Sequence, residues 1–361
     1  MRIKKYICAT ILFCIVLFGM TICASAKMKE NDEYQYEIIK RNGIYMHSSE
    51  NVFGDIEQGI YLYRYLGNQT EVEIPEEIDG LPVIRMSCAC FDENENLQKV
   101  TIPKSMVWID GFSNCTNLVN VVMEEGLRVI GCDAFTNCTS LEKIDLPDSV
   151  DFIGGFELDC STFSHCTSLK EIRLPKNLKR MDNYAFSGCS SLEKVDLPEK
   201  LEYISDGCFA GCSALKSVGI PNNCTYIAPR AFRNCTSLEK VTLPSALQVI
   251  DAEAFYGCSS LYKIKFPKGL KVIETDAFRN SGLKGTTIPA TVTKIGKRAF
   301  AHCVSMKKVI IKGKNTTILS LAFKGINPKA VFDVPNHFIQ TYQKRLTKRK
   351  TGFLKNSMKI I

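Results

Sequence analysis

From Phe112 to Phe323 the chain repeats itself. Phenylalanine stands at Phe112, Phe135, Phe163, Phe186, Phe209, Phe232, Phe255, Phe278, Phe300 and Phe323, and seven of the nine steps are 23 residues long. One step is 22, and one is 28 because of a five-residue insertion around Gly154 to Asp159. An apolar-proline pair gives a second ruler with the same spacing, running from Ile102-Pro103 through Leu197-Pro198 to Ile288-Pro289. A unit this short cannot enclose an apolar core alone. It must stack on copies of itself, so repeats of about 20–50 residues mark solenoids and propellers.

Within a unit the pattern selects a strand and its end. In Leu192-Glu-Lys-Val195-Asp-Leu197-Pro198 the apolar residues alternate with Lys194 and Asp196, the period of an extended chain. Pro198 closes the strand because it has no backbone donor for a ladder. Five residues before each Phe comes an apolar residue such as Ile130, Met181, Ile204 or Ile227, and immediately before it a small one such as Ala134, Ala185 or Cys208. These columns predict a repeat solenoid of about ten to twelve coils, with one short strand per 23-residue repeat joined into a parallel β-sheet.

The unit Phe-x-x-Cys-x-x-Leu-x-x-Val-x-Leu-Pro-x-x-Leu-x-x-Ile resembles the BspA-like leucine-rich repeats of bacterial surface proteins. The entry segment from Tyr65-Leu-Gly67 through Glu71-Val72-Glu73-Ile74-Pro75 to Gly80-Leu-Pro82-Val83 resembles that family's usual first coil. The likeness spans residues 60–335. It implies a right-handed leucine-rich-repeat coil and a secreted or cell-surface protein used for adhesion or interaction, without naming a ligand.

The ends depart from the repeat. Residues 1–26 read as a secretory signal: Arg2, Lys4 and Lys5, an apolar run from Ile7 to Ile22, then Ala24-Ser25-Ala26 before the expected cleavage. An uncleaved membrane anchor is the alternative, and no later segment is long and apolar enough to span a bilayer. Residues 27–59 read as an N-terminal cap, with a hairpin expected at Asn42-Gly43. Residues 336–361 form a basic cap or tail with seven Lys and Arg and no acid, and Phe338, Tyr342 and Leu346 predict a short amphipathic helix over the last coil. Without the signal the net charge is +5, and without the tail as well it is −2. The tail reads either as a solvated basic face or as a contact for an anionic wall polymer.

Seventeen cysteines would fit a disulfide scaffold or a metal protein, but register accounts for many of them. Cys115, Cys138, Cys166, Cys189, Cys212, Cys235, Cys258 and Cys303 each follow a unit Phe by three residues, with Ser281 taking the place once. They form one inward column of buried thiols, in which a small donor would satisfy a turn carbonyl. Cys132 and Cys160 each precede a Phe by three and flank the insertion, which makes them the candidate disulfide; Cys88 and Cys90 are a weaker pair. The histidines are scattered, and His165 and His302 beside column cysteines read as exposed turn residues. Nucleophile, phosphate-loop and paired-acid signatures are absent. No cofactor, metal site or enzyme activity is expected. Of six Asn-x-Ser/Thr sequons, three are the repeat's own Asn-Cys-Thr turn.

The remaining place for function is the outward strand face. One column runs Lys99, Asn120, Lys143, Glu171, Lys194, Ser217, Lys240, Lys263, Gly285 and Lys308, and a second holds Arg173 and Lys265. Lys99, Lys143, Arg173, Lys194, Lys240, Lys263 and Lys265 are the candidate binding residues. The alternative is a solubilising stripe partly neutralised by Glu142, Glu193 and Glu239. Both columns lack interleaved aromatics, so a nucleic acid partner is not expected. Three readings follow: a secreted or surface module that binds protein or glycan, a structural envelope component held by the tail, or a secreted enzyme using the repeats as scaffold. The third lacks a non-repeat domain.

Overall fold

The computed structural model describes residues 28–40, 53–154, 160–346 and 359–360. The signal, the Asn42-Gly43 turn, the heart of the insertion and most of the basic tail lie outside these residues. The chain is a β-solenoid of about twelve turns. Its strands of the expected kind, among them Lys99–Ile102, Asn120–Met123, Lys143–Asp145, Ser217–Gly219, Lys240–Thr242, Gly285–Ile288 and Lys308–Ile311, lie parallel on neighbouring coils, whereas residues 261–267, with Lys263 and Lys265, run alongside without forming a strand. The pairing is in register: Lys99 stands beside Asn120, Lys143 beside Glu171, and Gly285 beside Lys308. Inward residues such as Val100, Ile144, Val195 and Val309 are buried.

To the expected strand each coil adds a second, two residues long, as in Val129–Ile130, Phe152–Ile153, Tyr226–Ile227 and Val249–Ile250. These also pair in parallel and form a second face. Two residues are too few for a period to register in the sequence. Their β-branched and aromatic side chains fit an extended backbone once a neighbouring coil supplies the partner.

The phenylalanine column is the axis of the core. Ten rings from Phe112 to Phe323 are fully or almost fully buried and stack nearly parallel, with successive centroids 5.2 to 5.5 Å apart. The stack extends beyond the repeat seen in sequence. Phe91 lies 5.1 Å from Phe112, Tyr65 lies 4.9 Å from Phe91, and Tyr34 covers Tyr65 at 5.4 Å. At the far end Phe332 closes it edge-on at 5.2 Å from Phe323. Each offset aromatic pair contributes about 0.5–1.5 kcal/mol beyond its burial.

Both ends are covered. Strand Tyr34–Lys40 pairs antiparallel with Gln58–Tyr65, which in turn pairs in parallel with the first coil at Leu81–Met86. At the other end a 3₁₀ turn Asn336–Phe338 leads into helix Ile339–Leu346. Tyr342 from that helix is fully buried; its hydroxyl donates to the Gly313 carbonyl at 2.7 Å and accepts from the Thr316 amide at 3.3 Å. Lys359–Ile360 adds a last parallel strand beside Val331–Asp333.

Candidate binding face

The outward columns of the strand face are exposed and in register, but their charges are not uniform along the axis. In the N-terminal and central coils nearly every cation has an acid. Lys99 pairs with Glu71 at 3.2 Å, Lys143 with Asp145 at 3.4 Å and Glu171 at 3.9 Å, Arg173 with Asp148 at 2.8 Å, and Lys194 with Asp196 at 2.6 Å. Glu142 and Glu193, expected to neutralise the lysine column, pair instead with Lys170 at 2.8 Å and Lys216 at 2.6 Å. Those lysines belong to a third column, Glu142, Lys170, Glu193, Lys216 and Glu239, in which opposite charges alternate from coil to coil. Alternation at the spacing of adjacent strands, about 4.8 Å, brings each acid within reach of a base. The Asp196 bond raises the Lys194 ammonium above the usual lysine range, and Lys216 lowers Glu193.

Beyond Glu239 the alternation stops. The third column continues with Tyr262, Lys284 and Lys307. Among the described residues, Lys240, Lys263, Lys265, Lys307 and Lys308 make no ion pair, so the seven candidates divide into four paired cations and three unpaired ones. Tyr262 is 49% exposed, and the Lys284 ammonium lies over its ring, 5.7 Å from the centroid. Inspecting two columns in the sequence missed this third one. The visible signal was the change from Glu-Lys to Tyr-Lys and Lys-Lys just before the strand residue.

The eight column cysteines are fully buried, and their thiols donate to the carbonyl of a Phe on the preceding side of the stack, as Cys212 does to Phe186 at 3.2 Å and Cys235 to Phe209 at 3.1 Å. Ser281 behaves differently. Its shorter side chain meets the Cys303 sulfur at 3.2 Å in place of a carbonyl. Burial pushes these thiols far up, Cys303 to about 11 and Cys115 and Cys166 to about 12, which removes nucleophilic thiolate at neutral pH. Cys132 and Cys160 are joined in a disulfide with Cα atoms 4.7 Å apart. Cys90 is buried and Cys88 exposed, and no disulfide joins the two.

Two residues after the unit Phe, Asn114, Asn137, His165, Asn234, Asn280 and His302 have φ between 58° and 60°, and Gly188, Gly211 and Gly257 are also positive. Asn and Gly are the residues that enter this left-handed region at least cost. Three sequons and both column-adjacent histidines are therefore turn geometry.

The second face carries Arg85, Trp108, Phe152, Tyr203 and Tyr226 in its outward column. Arg85 stacks on Trp108, 4.4 Å from the ring centroid, above buried Asp110, whose carboxyl is pushed up to about 7 by burial while Arg85 and Trp108 pull it down. Asp182 is pushed up to about 6 by burial against the pull of Arg180 at 3.0 Å. Asp133 adds to the upward push on Asp110, and burial together with Asp182 raises the Cys208 thiol. Phe152, Arg180, Tyr203 and Asn223 line an open groove of about 800 Å³ on this face. Among the described residues no group of His, Cys, Asp and Glu could hold a metal ion, and no helix is long and apolar enough to cross a membrane.

No curated protein matches the chain. Several solved structures are similar, three of them being representative. The T. pallidum leucine-rich repeat protein is 30% identical over 59% of this chain and 91% of its own, with a TM-score of 0.48. A leucine-rich cell surface protein from Faecalibacterium prausnitzii is 23% identical over 93% of this chain and 95% of its own, with a TM-score of 0.57. The pneumococcal vaccine antigen PcpA is 17% identical over 93% of this chain and 99% of its own, with a TM-score of 0.50. The sequence profile of the BspA type leucine-rich repeat region matches six copies, over residues 59–158, 156–250 and 225–345. With that match running through nearly all of the solenoid, the chain belongs to the BspA-type leucine-rich repeat proteins.

Proposed function

We propose that this protein is a secreted or surface-held recognition module that binds a protein or glycan of a cell surface or extracellular matrix along its outward strand face. The observation carrying this reading is the in-register array of exposed polar residues over successive coils, rigidly held by the buried ring stack. A solenoid presents an extended surface of this kind for an extended partner. The signal-like residues 1–26 and the likeness to a bacterial cell surface protein support the location. The basic tail supplies retention on an anionic wall polymer.

Binding to an array of matrix proteins and glycans tests the reading, with Lys194→Glu plus Lys240→Glu as the face variant. Loss of the captured ligand on that variant supports it. An array without any ligand, or binding indifferent to the variant, overturns it. Retention by the tail is tested by high-salt release from cells, comparing the full chain with one ending at Leu346. A chain ending at Pro335 would also lose buried Tyr342 and uncover the last coil.

A further inference from the structure

Charge along the solenoid is polarised far more strongly than the tail alone accounts for. Residues 27–259 hold 21 Lys and Arg against 35 acids, a net −14, whereas residues 260–335 hold 15 against three, a net +12. Those three acids are Glu274, Asp276 and Asp333. Glu274 is taken by Lys294 at 2.6 Å, and Asp276 by Arg298 and Arg279, all away from the strand face. Asp333 stands in the last coil beside Ile310. The strand face from Lys240 to Lys308 therefore presents Lys240, Lys263, Lys265, Lys284, Lys307 and Lys308 with Glu239 at its N-terminal edge as the acid of those columns. The register places Lys359 next to Val331, one coil further along the same column.

We infer that this stretch of the strand face is a binding site for a sulfated polysaccharide. The inference rests on the strand face being the recognition surface and names the ligand class for its C-terminal third. Three features favour that occupant. The cations repeat at the coil spacing of about 4.8 Å, so a linear polyanion lying along the axis meets one after another. All six are lysines, compact single charges suited to scattered sulfates; the guanidinium fork that grips phosphate and carboxylate in two-point fashion is absent from the patch. Tyr262 stands exposed among them, a flat apolar face on which a sugar ring can stack. Single-stranded nucleic acid would call for several such rings, one per base. A second copy of the chain fits less well, because the acids of its own strand face are already bound to its own lysines.

The test uses the chain from Lys27 to Ile361 and immobilised heparin, desulfated heparin and a short DNA duplex. Heparin should bind, with affinity falling steeply as salt rises, and desulfation should weaken binding by about tenfold or more. Lys263→Ser, Lys284→Ser and Lys308→Ser together should weaken heparin binding by about tenfold or more, while Lys143→Ser, Lys170→Ser and Lys194→Ser together should change it by less than about threefold, since those cations are already neutralised. Tyr262→Ala should weaken heparin binding and leave binding of inorganic polyphosphate unchanged. Equal losses from the two triple variants, equal affinity for heparin and duplex DNA, or self-association abolished by the first triple without heparin binding would each overturn the inference. Absence of heparin binding with array ligands still captured by the strand face refutes this site alone; absence of every ligand refutes the recognition surface beneath it.

Discussion

Replacing one ring of the stack tests what holds the coils together. Phe209 is fully buried, with Phe186 at 5.4 Å and Phe232 at 5.5 Å on its two sides, both within 7° of parallel. Truncation to alanine should cost about 3–5 kcal/mol, since it removes the burial and leaves a cavity. Leucine keeps most of the burial and removes two ring pairs, so Phe209→Leu should cost about 1–3 kcal/mol. A double variant separates stacking from burial. Phe209→Leu with Phe232→Leu removes three ring pairs, whereas the two single variants together count four, because each includes the shared pair. The double variant should therefore be less damaging than the sum by one pair, about 0.5–1.5 kcal/mol. Phe209→Leu with Phe278→Leu shares no pair and should be additive within about 0.5 kcal/mol. Urea denaturation followed by far-UV circular dichroism reads all four quantities. If the adjacent pair is as additive as the distant one, the rings act only as buried volume and the stacking argument fails.

Three further outcomes concern a buried acid, the disulfide and the thiols. Burial raises the Asp110 carboxyl to about 7 in the folded chain, so the native state holds this proton more tightly than the unfolded one. The associated stability is complete below the unfolded value of about 4 and is lost as pH rises through 7; Asp110→Asn should flatten that part of the stability profile and raise stability near pH 8 by on the order of 1–2 kcal/mol. The Cys132–Cys160 bridge spans 28 residues, and replacing both with serine should lower stability by about 3–4 kcal/mol on the loop-entropy account, with reductant then having no further effect on the variant's midpoint. In the native chain iodoacetamide should modify Cys88 ahead of the column thiols, which should react only on unfolding; early labelling of Cys212 or Cys235 would contradict their burial.

The parts of this molecule legible in the sequence are those repeated many times. One Phe or one Cys says little, but ten coils in register separate core from surface, because each inward position faces the same neighbours in every coil. What escaped reading was set by a single coil or by a pair of coils. Tyr65 and Tyr34 extend the stack with a different ring, so a search for phenylalanine stops short of them. The two-residue strands of the second face are defined by pairing, which has no period inside one unit. The partners of Glu142 and Glu193 depend on which column is adjacent across coils, and this is a property of the stack. The acid-poor C-terminal third was hidden by summing it with an acid-rich remainder, since totals over a long solenoid cancel charges that lie tens of ångströms apart in the folded chain.

The sameness of the coils also creates a difficulty during folding. A stack whose layers are nearly interchangeable can begin zipping one layer out of step, with a Phe still meeting a Phe and a thiol still reaching a carbonyl. The irregular elements deny that degeneracy. The bridge between Cys132 and Cys160 joins the two coils that flank the 28-residue step, and Arg85 lies over both Tyr61 and Trp108 in the first coils. At the two ends Tyr34 and Tyr342 fit only the first and last layers. These features act as alignment pins: the repeats supply the cohesion, and the exceptions decide which layer lies against which.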